Sequence, residues 1–152
     1  MAARTINGLE ELTTLVGEHL GYSDYVEITQ EQVNAFADAT GDHQWIHVDP
    51  ERAKDGPFGA AIAHWYLTVS LSNFFLPQVV DVQGISAGIN YGVNKIRFPS
   101  PVPVGSKVRG GVELAAVEEV KGGIQTTMVI TIEIEGQDRP ACVIESISRY
   151  LA

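Results

Sequence analysis

The strongest pattern of hydrophobic and polar positions lies between Ile124 and Glu135, near the end of the 152-residue chain. Apolar side chains and one threonine fill every second position, and mostly polar side chains fill the positions between them. A period of two over this length predicts a β-strand with one buried face.

Similar signals predict further strands on both sides of this segment. Glycine-containing turns at 121–123 and 136–138 bound it. The other predicted strands cover residues 25–28, 89–98, 107–117 and 141–151. We expect an irregularity near Asn94. Three prolines between 99 and 103 lack backbone donors, so that segment is predicted to lie outside the sheet.

Two shorter segments show the spacing and end signals of helices. Asn7 can cap a helix over residues 7–20, which Gly21 would stop. Thr29 and Gln32 form a capping box at the start of a second helix. Gly41 can end that second helix, because glycine accepts the left-handed conformation that helix ends often need.

The longest predicted helix runs from Ala60 to about Leu76, and Pro77 is expected to end it. Apolar residues occupy almost all of its sides, so we expect protein to surround it. The simplest packing is one α+β domain over residues 1–152, in which a curved antiparallel sheet wraps around this central helix. The outer face of the sheet would carry apolar residues such as Val129, which a second copy of the chain would cover in a homodimer.

Composition and charge narrow the function classes. The formal net charge is −9, which argues against a nucleic-acid partner because such proteins need a basic surface. Cys142 is the single cysteine, so no internal disulfide can form. We expect its thiol to lie in the core. The first residues show no apolar signal segment, and 58–80 is too polar for a membrane span. We therefore expect a cytoplasmic protein.

Residues 39–50 hold the densest group of chemically active side chains. Asp42 and His47 follow the helix stop and precede a helix start at Asp49-Pro50. We therefore expect both on an irregular connector, where they can point at the same small molecule. A carboxylate and an imidazole placed in this way can share a water molecule and move its proton.

Simpler interpretations of the same residues stay open. An aspartate after a helix-ending glycine is typical of a turn, and a lone histidine is typical of a partly buried structural residue. His43 and His47 would suit a metal ion if this segment were helical, but the Gly41 stop argues against a helix. We expect no metal here.

Three groups of residues carry a family resemblance. They are Phe36-Ala37-x-x-Thr40-Gly41-Asp42-x-x-x-Ile46-His47, Ile62-Ala63-His64 and Phe98-Pro99-x-Pro101-Val102-x-x-Gly105. Over roughly residues 25–150 the chain resembles the MaoC-like hydratases, which are hot-dog-fold (R)-specific enoyl-CoA hydratases, and within them the NodN-like branch. The resemblance implies that Asp42 and His47 hold and activate a water that adds to a trans-2-enoyl thioester.

The resemblance also implies supporting residues on the long helix. The backbone N–H of Trp65, where family members usually have glycine, would bind the thioester oxygen. Asn73 aligns with a family position that can hydrogen-bond the catalytic aspartate, so it would support the catalytic pair. His64 would support the pair by orienting the connector or the start of the helix, and a purely structural role for it stays open. The Trp65 indole would either point into the core or narrow the pocket.

An acyl-CoA thioester is the substrate that the resemblance implies, without a cofactor, a nucleic acid or a membrane. Lys95 and Arg97 are candidate cations for the CoA phosphates. Two other functions stay open beside the hydratase. One is a hot-dog acyl-CoA thioesterase, which directs water at the carbonyl; the other is a non-catalytic acyl-thioester-binding protein.

Overall fold

The structure, a computed structural model, describes residues 2–152. In chain order the elements are β1 (Arg4–Asn7), α1 (Leu9–Thr13), β2 (His19–Tyr22), β3 (Val26–Glu27), α2 (Gln30–Thr40), α3 (Trp45–Val48), α4 (Pro50–Ala53), α5 (Trp65–Ser70), α6 (Ser72–Val79), β4 (Val80–Gln83), β5 (Ala87–Arg97), β6 (Lys107–Val120), β7 (Gly123–Ile134) and β8 (Cys142–Leu151). Within the described residues, no helix has both the length and the apolar character that crossing a bilayer requires.

The main sheet is antiparallel and contains six of the described strands. Their order is β2-β6-β7-β8-β5, and β3 also pairs with β6. Along β7, buried and half-buried positions alternate at every residue, which confirms the pattern predicted from the sequence. The register of β5 on β8 shifts on either side of Gly92 and Val93, which confirms an irregularity close to Asn94. The proline segment lies outside the named strands, as predicted.

The N-terminal segment forms a shorter helix than predicted. Helix α1 ends at Thr13 and has Gly8 as its N-cap, so the predicted helix over residues 7–20 is wrong. Gly17 has a positive φ of 91° and its N–H donates to the carbonyl of Leu114 at 2.7 Å. Residues 19–22 pair with β6 and form strand β2. These sheet hydrogen bonds outweigh the local helix preference of the segment.

The central helix comprises α5 and α6, and it begins later than predicted. Residues 60–64 are not helical, because their backbone bonds with two other segments. The N–H of Ile62 donates to the carbonyl of Ile46 at 3.0 Å, and the N–H of Ala63 donates to the carbonyl of Val102 at 2.8 Å. The first helical residue is therefore Trp65. This extended stretch connects the proline segment to the connector that carries the candidate chemistry.

The far end of the helix also differs from the prediction. Pro77 lies inside α6, and the helix continues to Val79. A proline near the end of a helix removes one hydrogen bond, and its fixed φ still suits the helix. The helix ends where Val80 turns into β4, which pairs in parallel with β1.

Only one side of the central helix is buried in the single chain. Leu67 and Phe75 belong to the core, whereas Tyr66 is 74% exposed and Phe74 is 52% exposed. The expectation that protein surrounds the helix is therefore wrong for one chain. Val129, expected on an apolar outer face, is half-buried.

The central helix lies in close contact with the sheet at Gly110 of β6. A Cβ atom on this glycine would lie 2.7 Å from Cβ of Phe75. The core strand can therefore accept the helix only because this position lacks a side chain.

We predict that Gly110→Ala lowers the free energy of unfolding by about 1–3 kcal/mol, because the added methyl group forces Phe75 away. Gly88→Ala is the matched control, since its Cβ would meet Tyr150 at an ordinary 3.5 Å and should change stability by less than about 0.5 kcal/mol. Urea unfolding measures both. Equal effects of the two variants would show that the helix does not depend on close contact at Gly110.

Candidate active site

Local features set both ends of α2 and the turn that follows it. The side chain of Thr29 caps the start of α2 by accepting from the N–H of Gln32 at 3.1 Å. Gly41 ends the helix in the left-handed conformation, with φ 85°. The carboxylate of Asp42 then accepts from the N–H of Gln44 at 3.3 Å, which forms a turn. These features confirm the predicted ends of α2.

His47 lies on different local structure from Asp42. Asp42 occupies the irregular turn, as expected, but His47 lies on the one-turn helix α3. The short helix points the imidazole inward, so that His47 is 3% exposed while Asp42 stays exposed.

One hydrogen bond fixes the state of the His47 ring. Its Nδ1–H donates to the main-chain carbonyl of Ile62 at 2.8 Å. A carbonyl oxygen can only accept, so Nδ1 carries a proton, and in the neutral ring Nε2 then keeps a free lone pair. His47 is thereby held as a potential base.

His64 packs directly on this ring. The two imidazoles stack with their centroids 4.0 Å apart and an angle of 23° between their planes. The Nε2–H of His64 donates to the main-chain carbonyl of Asp42 at 2.9 Å, which ties the connector to the start of the central helix. Its Nδ1 is buried without a hydrogen-bond partner in the described part of the chain.

The three side chains form one compact group. One ligand atom from each of Asp42, His47 and His64 lies within 4.8 Å of the others. Two atoms that bond the same water in roughly tetrahedral directions lie about 4.6 Å apart. The ligands of a tetrahedral zinc ion lie only about 3.4 Å apart. Separations within this limit allow the group to hold either a shared water or a cation.

The pKa values of His47 and its neighbour His43 are shifted in opposite directions. Burial lowers the pKa of His47, the stacked His64 lowers it further, and the Ile62 carbonyl and Asp42 oppose this only in part. His43 is exposed and bonds Asp38 at 3.0 Å, which raises its pKa. His47 is therefore the neutral imidazole of the connector at pH 7, and His43 faces solvent.

The Trp65 indole does not point into the core, which was one of the two orientations that the sequence left open. Its ring is half-buried and contacts the ring of Phe98, with centroids 5.4 Å apart, and it does not belong to the core cluster. As the first residue of α5, it has a backbone N–H without an intrahelical acceptor. This N–H directly follows His64 and stays available to a ligand.

Asn73 lies away from this group. It is exposed on α6, roughly 12 Å along the helix from Trp65 at 1.5 Å per residue, and lines a separate groove with Leu76 and Pro77. Within residues 2–152 no hydrogen bond joins it to Asp42.

The two candidate cations lie near the end of β5. Arg97 lines a surface groove together with Arg139, whereas Lys95 lies opposite Glu145 of β8. Sequence reasoning missed Arg139, because no local pattern relates the turn before β8 to the end of β5. Only the pairing of Arg97 with Val143 in the folded sheet brings that turn beside Arg97.

Comparison with known proteins identifies the family. The sequence profile of the MaoC like domain matches residues 11–136. The chain belongs to the MaoC-like domain family. Membership makes it a hydratase/dehydratase by family, and it confirms the resemblance predicted from the sequence.

Two relatives are similar to this MaoC-like domain over most of its length. It is 55% identical over 150 residues to 3-hydroxyacyl-thioester dehydratase Z of Mycobacterium tuberculosis, covering 98% of this chain and 99% of the relative. It is 42% identical over 137 residues to nodulation protein N of Rhizobium leguminosarum bv. viciae, covering 88% and 84%.

A solved structure is similar to the MaoC-like domain in fold. The (R)-hydratase from A. caviae involved in PHA biosynthesis superposes with a TM-score of 0.72 at 29% identity, over 88% of this chain and 94% of that chain. This similarity confirms the predicted hot-dog fold, an open antiparallel sheet with helices packed against it.

We predict that nitrogen-detected NMR shows His47 as the Nδ1–H tautomer with a pKa below 6.5, because burial disfavours its charged form. His43 is the internal control and should titrate above 6.5. A lowered pKa means that folded His47 binds fewer protons than unfolded His47. Its contribution to the free energy of unfolding therefore falls as the pH drops below 6.5. An Nε2–H tautomer of His47 would contradict the assigned bond to Ile62.

Proposed function

We propose that this MaoC-like domain is an (R)-specific enoyl-CoA hydratase/dehydratase, which adds water to a trans-2-enoyl-CoA and removes it in the reverse direction. The observation that carries the proposal is the compact group of Asp42, His47 and His64, in which His47 is stacked on His64 and its Nδ1–H is engaged by the Ile62 carbonyl. The two similar proteins named as a dehydratase and an (R)-hydratase support the same class of reaction.

The reaction needs a base, a proton source and stabilisation of an enolate. Asp42 and His47 hold the water and accept one of its protons while its oxygen bonds to C3 of the enoyl group. The same proton then passes to C2, so the step is a net addition of water without redox change. The N–H of Trp65, at the positive end of a helix, donates to the thioester oxygen as negative charge develops on it.

His64 acts as a positioning residue in this proposal. Its bond to the Asp42 carbonyl holds the connector, and its ring supports His47 from one side. We give Asn73 no part in the reaction, because the single chain places it in another groove.

We predict that the protein hydrates crotonyl-CoA, measured as loss of enoyl absorbance, and that Asp42→Asn and His47→Asn each lower kcat by at least about 100-fold. His43→Asn is the matched control, because this exposed histidine bonds Asp38 and should keep the wild-type rate. EDTA should leave the rate unchanged. Wild-type kcat in both catalytic variants would refute the proposal. Release of free thiol would instead indicate a thioesterase, and binding without product an acyl-thioester-binding protein.

We further propose that the domain works as a cytoplasmic homodimer. Strand β5 is an edge of the main sheet and carries exposed apolar side chains: Ile89 is 44%, Tyr91 56% and Val93 48% exposed. Exposed Tyr66 and Phe74 of the central helix add to the apolar surface of the chain. A second copy can cover such surface by a two-fold contact.

Sedimentation velocity is expected to show a dimer that Val93→Asp converts to monomer, because a buried charge without a partner weakens an apolar interface. Val16→Asp is the matched control: Val16 is 46% exposed, on a turn outside β5, and its variant should remain dimeric. A wild-type protein that sediments as a monomer would contradict the proposal.

A further inference from the structure

The group formed by Asp42, His47 and His64 brings two imidazoles and one carboxylate together. One ligand atom from each residue lies within 4.8 Å of the other two. The ligands of a tetrahedral zinc ion lie about 3.4 Å apart, so these atoms need to approach one another by no more than about 1.4 Å. Asp42 is exposed, so the group is open to solvent on that side. This donor set suits a divalent metal ion as well as the water of the proposed reaction.

The hydrogen bonds of the two histidines follow the pattern of metal-ligating histidines. A histidine that ligates a metal almost always donates its other ring N–H to a carbonyl or a carboxylate, which fixes the ring. His47 donates Nδ1–H to the Ile62 carbonyl at 2.8 Å, and His64 donates Nε2–H to the Asp42 carbonyl at 2.9 Å. In the neutral rings, Nε2 of His47 and Nδ1 of His64 each keep a lone pair that can bind a cation.

The free nitrogen of His64 is a second, independent observation. His64 is 2% exposed, and its Nδ1 is buried without a hydrogen-bond partner in the described part of the chain. A buried acceptor without a partner is costly, and a bound cation satisfies it. The proposed reaction uses the Asp42 carboxylate and Nε2 of His47, so it leaves this nitrogen without a role.

Charge and protonation also favour a cation at this group. Burial lowers the pKa of His47, so at pH 7 an ion does not have to displace a proton from this ring. The Asp42 carboxylate supplies a negative charge, and the net charge of −9 attracts cations to the chain. Imidazole nitrogens favour zinc, whereas Mg²⁺ and Ca²⁺ prefer oxygen ligands.

We propose that Asp42, His47 and His64 bind a Zn²⁺ ion that inhibits the protein. The carboxylate, Nε2 of His47 and Nδ1 of His64 hold the ion. Ligation occupies the lone pair with which His47 accepts a proton from water, so the zinc-bound form cannot catalyse hydration. Binding of the ion is independent of the proposed function, and only the inhibition rests on it. The metal-free protein is the active form, in agreement with the expected insensitivity to EDTA.

Calorimetric titration with zinc chloride, after EDTA treatment and dialysis, tests the site. We expect one ion per chain with a Kd of about 1–100 µM. The ring planes meet at 23°, so their lone pairs run nearly parallel and the rings must tilt before both bind one ion, which costs affinity. His64→Asn and Asp42→Asn should each weaken binding at least about tenfold, and magnesium chloride should not bind. Wild-type affinity for zinc in both variants overturns the proposal.

His43→Asn is the matched control, because this exposed histidine lies on the same connector and bonds Asp38. Its variant should bind zinc as the wild type does, and loss of binding there overturns the proposed set of ligands. Nitrogen-detected NMR of the wild-type protein needs no substitution and does not depend on the folding of a variant. Zinc should shift the resonances of His47 Nε2 and His64 Nδ1, and shifts confined to His43 or His19 overturn the proposal.

An activity measurement tests the inhibition separately from the binding. Saturating zinc chloride should lower the rate of crotonyl-CoA hydration at least about tenfold, because the base is lost, and EDTA should restore the rate. Full activity of the zinc-bound protein overturns the inhibition. If the protein has no hydratase activity, the proposed function fails, and titration and NMR still decide whether the three residues bind zinc.

Discussion

The hydrogen bond from His47 Nδ1 to the carbonyl of Ile62 is the interaction on which the candidate site depends. It selects the tautomer, orients the ring and leaves Nε2 as the free acceptor. The carbonyl is available because residues 60–64 do not join the helix. Their backbone bonds instead with Ile46 and Val102, which places Ile62 beside α3. The late start of the central helix is thus a condition for the chemistry.

The stacked pair of histidines adds a second constraint. Both rings are almost fully buried, and burial, together with the contact with His64, lowers the pKa of His47 and favours its neutral form. His64 contributes one hydrogen bond to the connector and leaves Nδ1 without a partner in the described part of the chain. An unpaired buried acceptor is costly in a packed interior, so its position beside Asp42 and His47 is typical of a site that a ligand or water completes.

The elements whose signals are local were predictable from the sequence. The alternation along β7, the Thr29 cap and the Gly41 stop each depend on residues within a few positions of one another. The errors arise where distant segments decide the structure. Leu114 bonds with Gly17 and shortens α1, and Val102 holds Ala63 outside the helix.

The residues of the candidate site also fall into those that local motifs predicted and those that depend on distant segments. Asp42, His47 and His64 were identified from short motifs, and the structure brings them together. The supporting role of Asn73 stays a prediction, and Arg139 was not found, because the residues that share its groove come from other elements. The orientation of Trp65 was undetermined for the same reason, since it depends on contact with Phe98 of the proline segment.

The most direct test of the central claim is a crystal structure of the Asp42→Asn variant with (R)-3-hydroxybutyryl-CoA bound. The account predicts the C3 hydroxyl within hydrogen-bond distance of both the substituted side chain at position 42 and Nε2 of His47, with the thioester oxygen at the N–H of Trp65. A hydroxyl group bound elsewhere, or a His47 ring whose Nε2 faces away from it, would contradict the account.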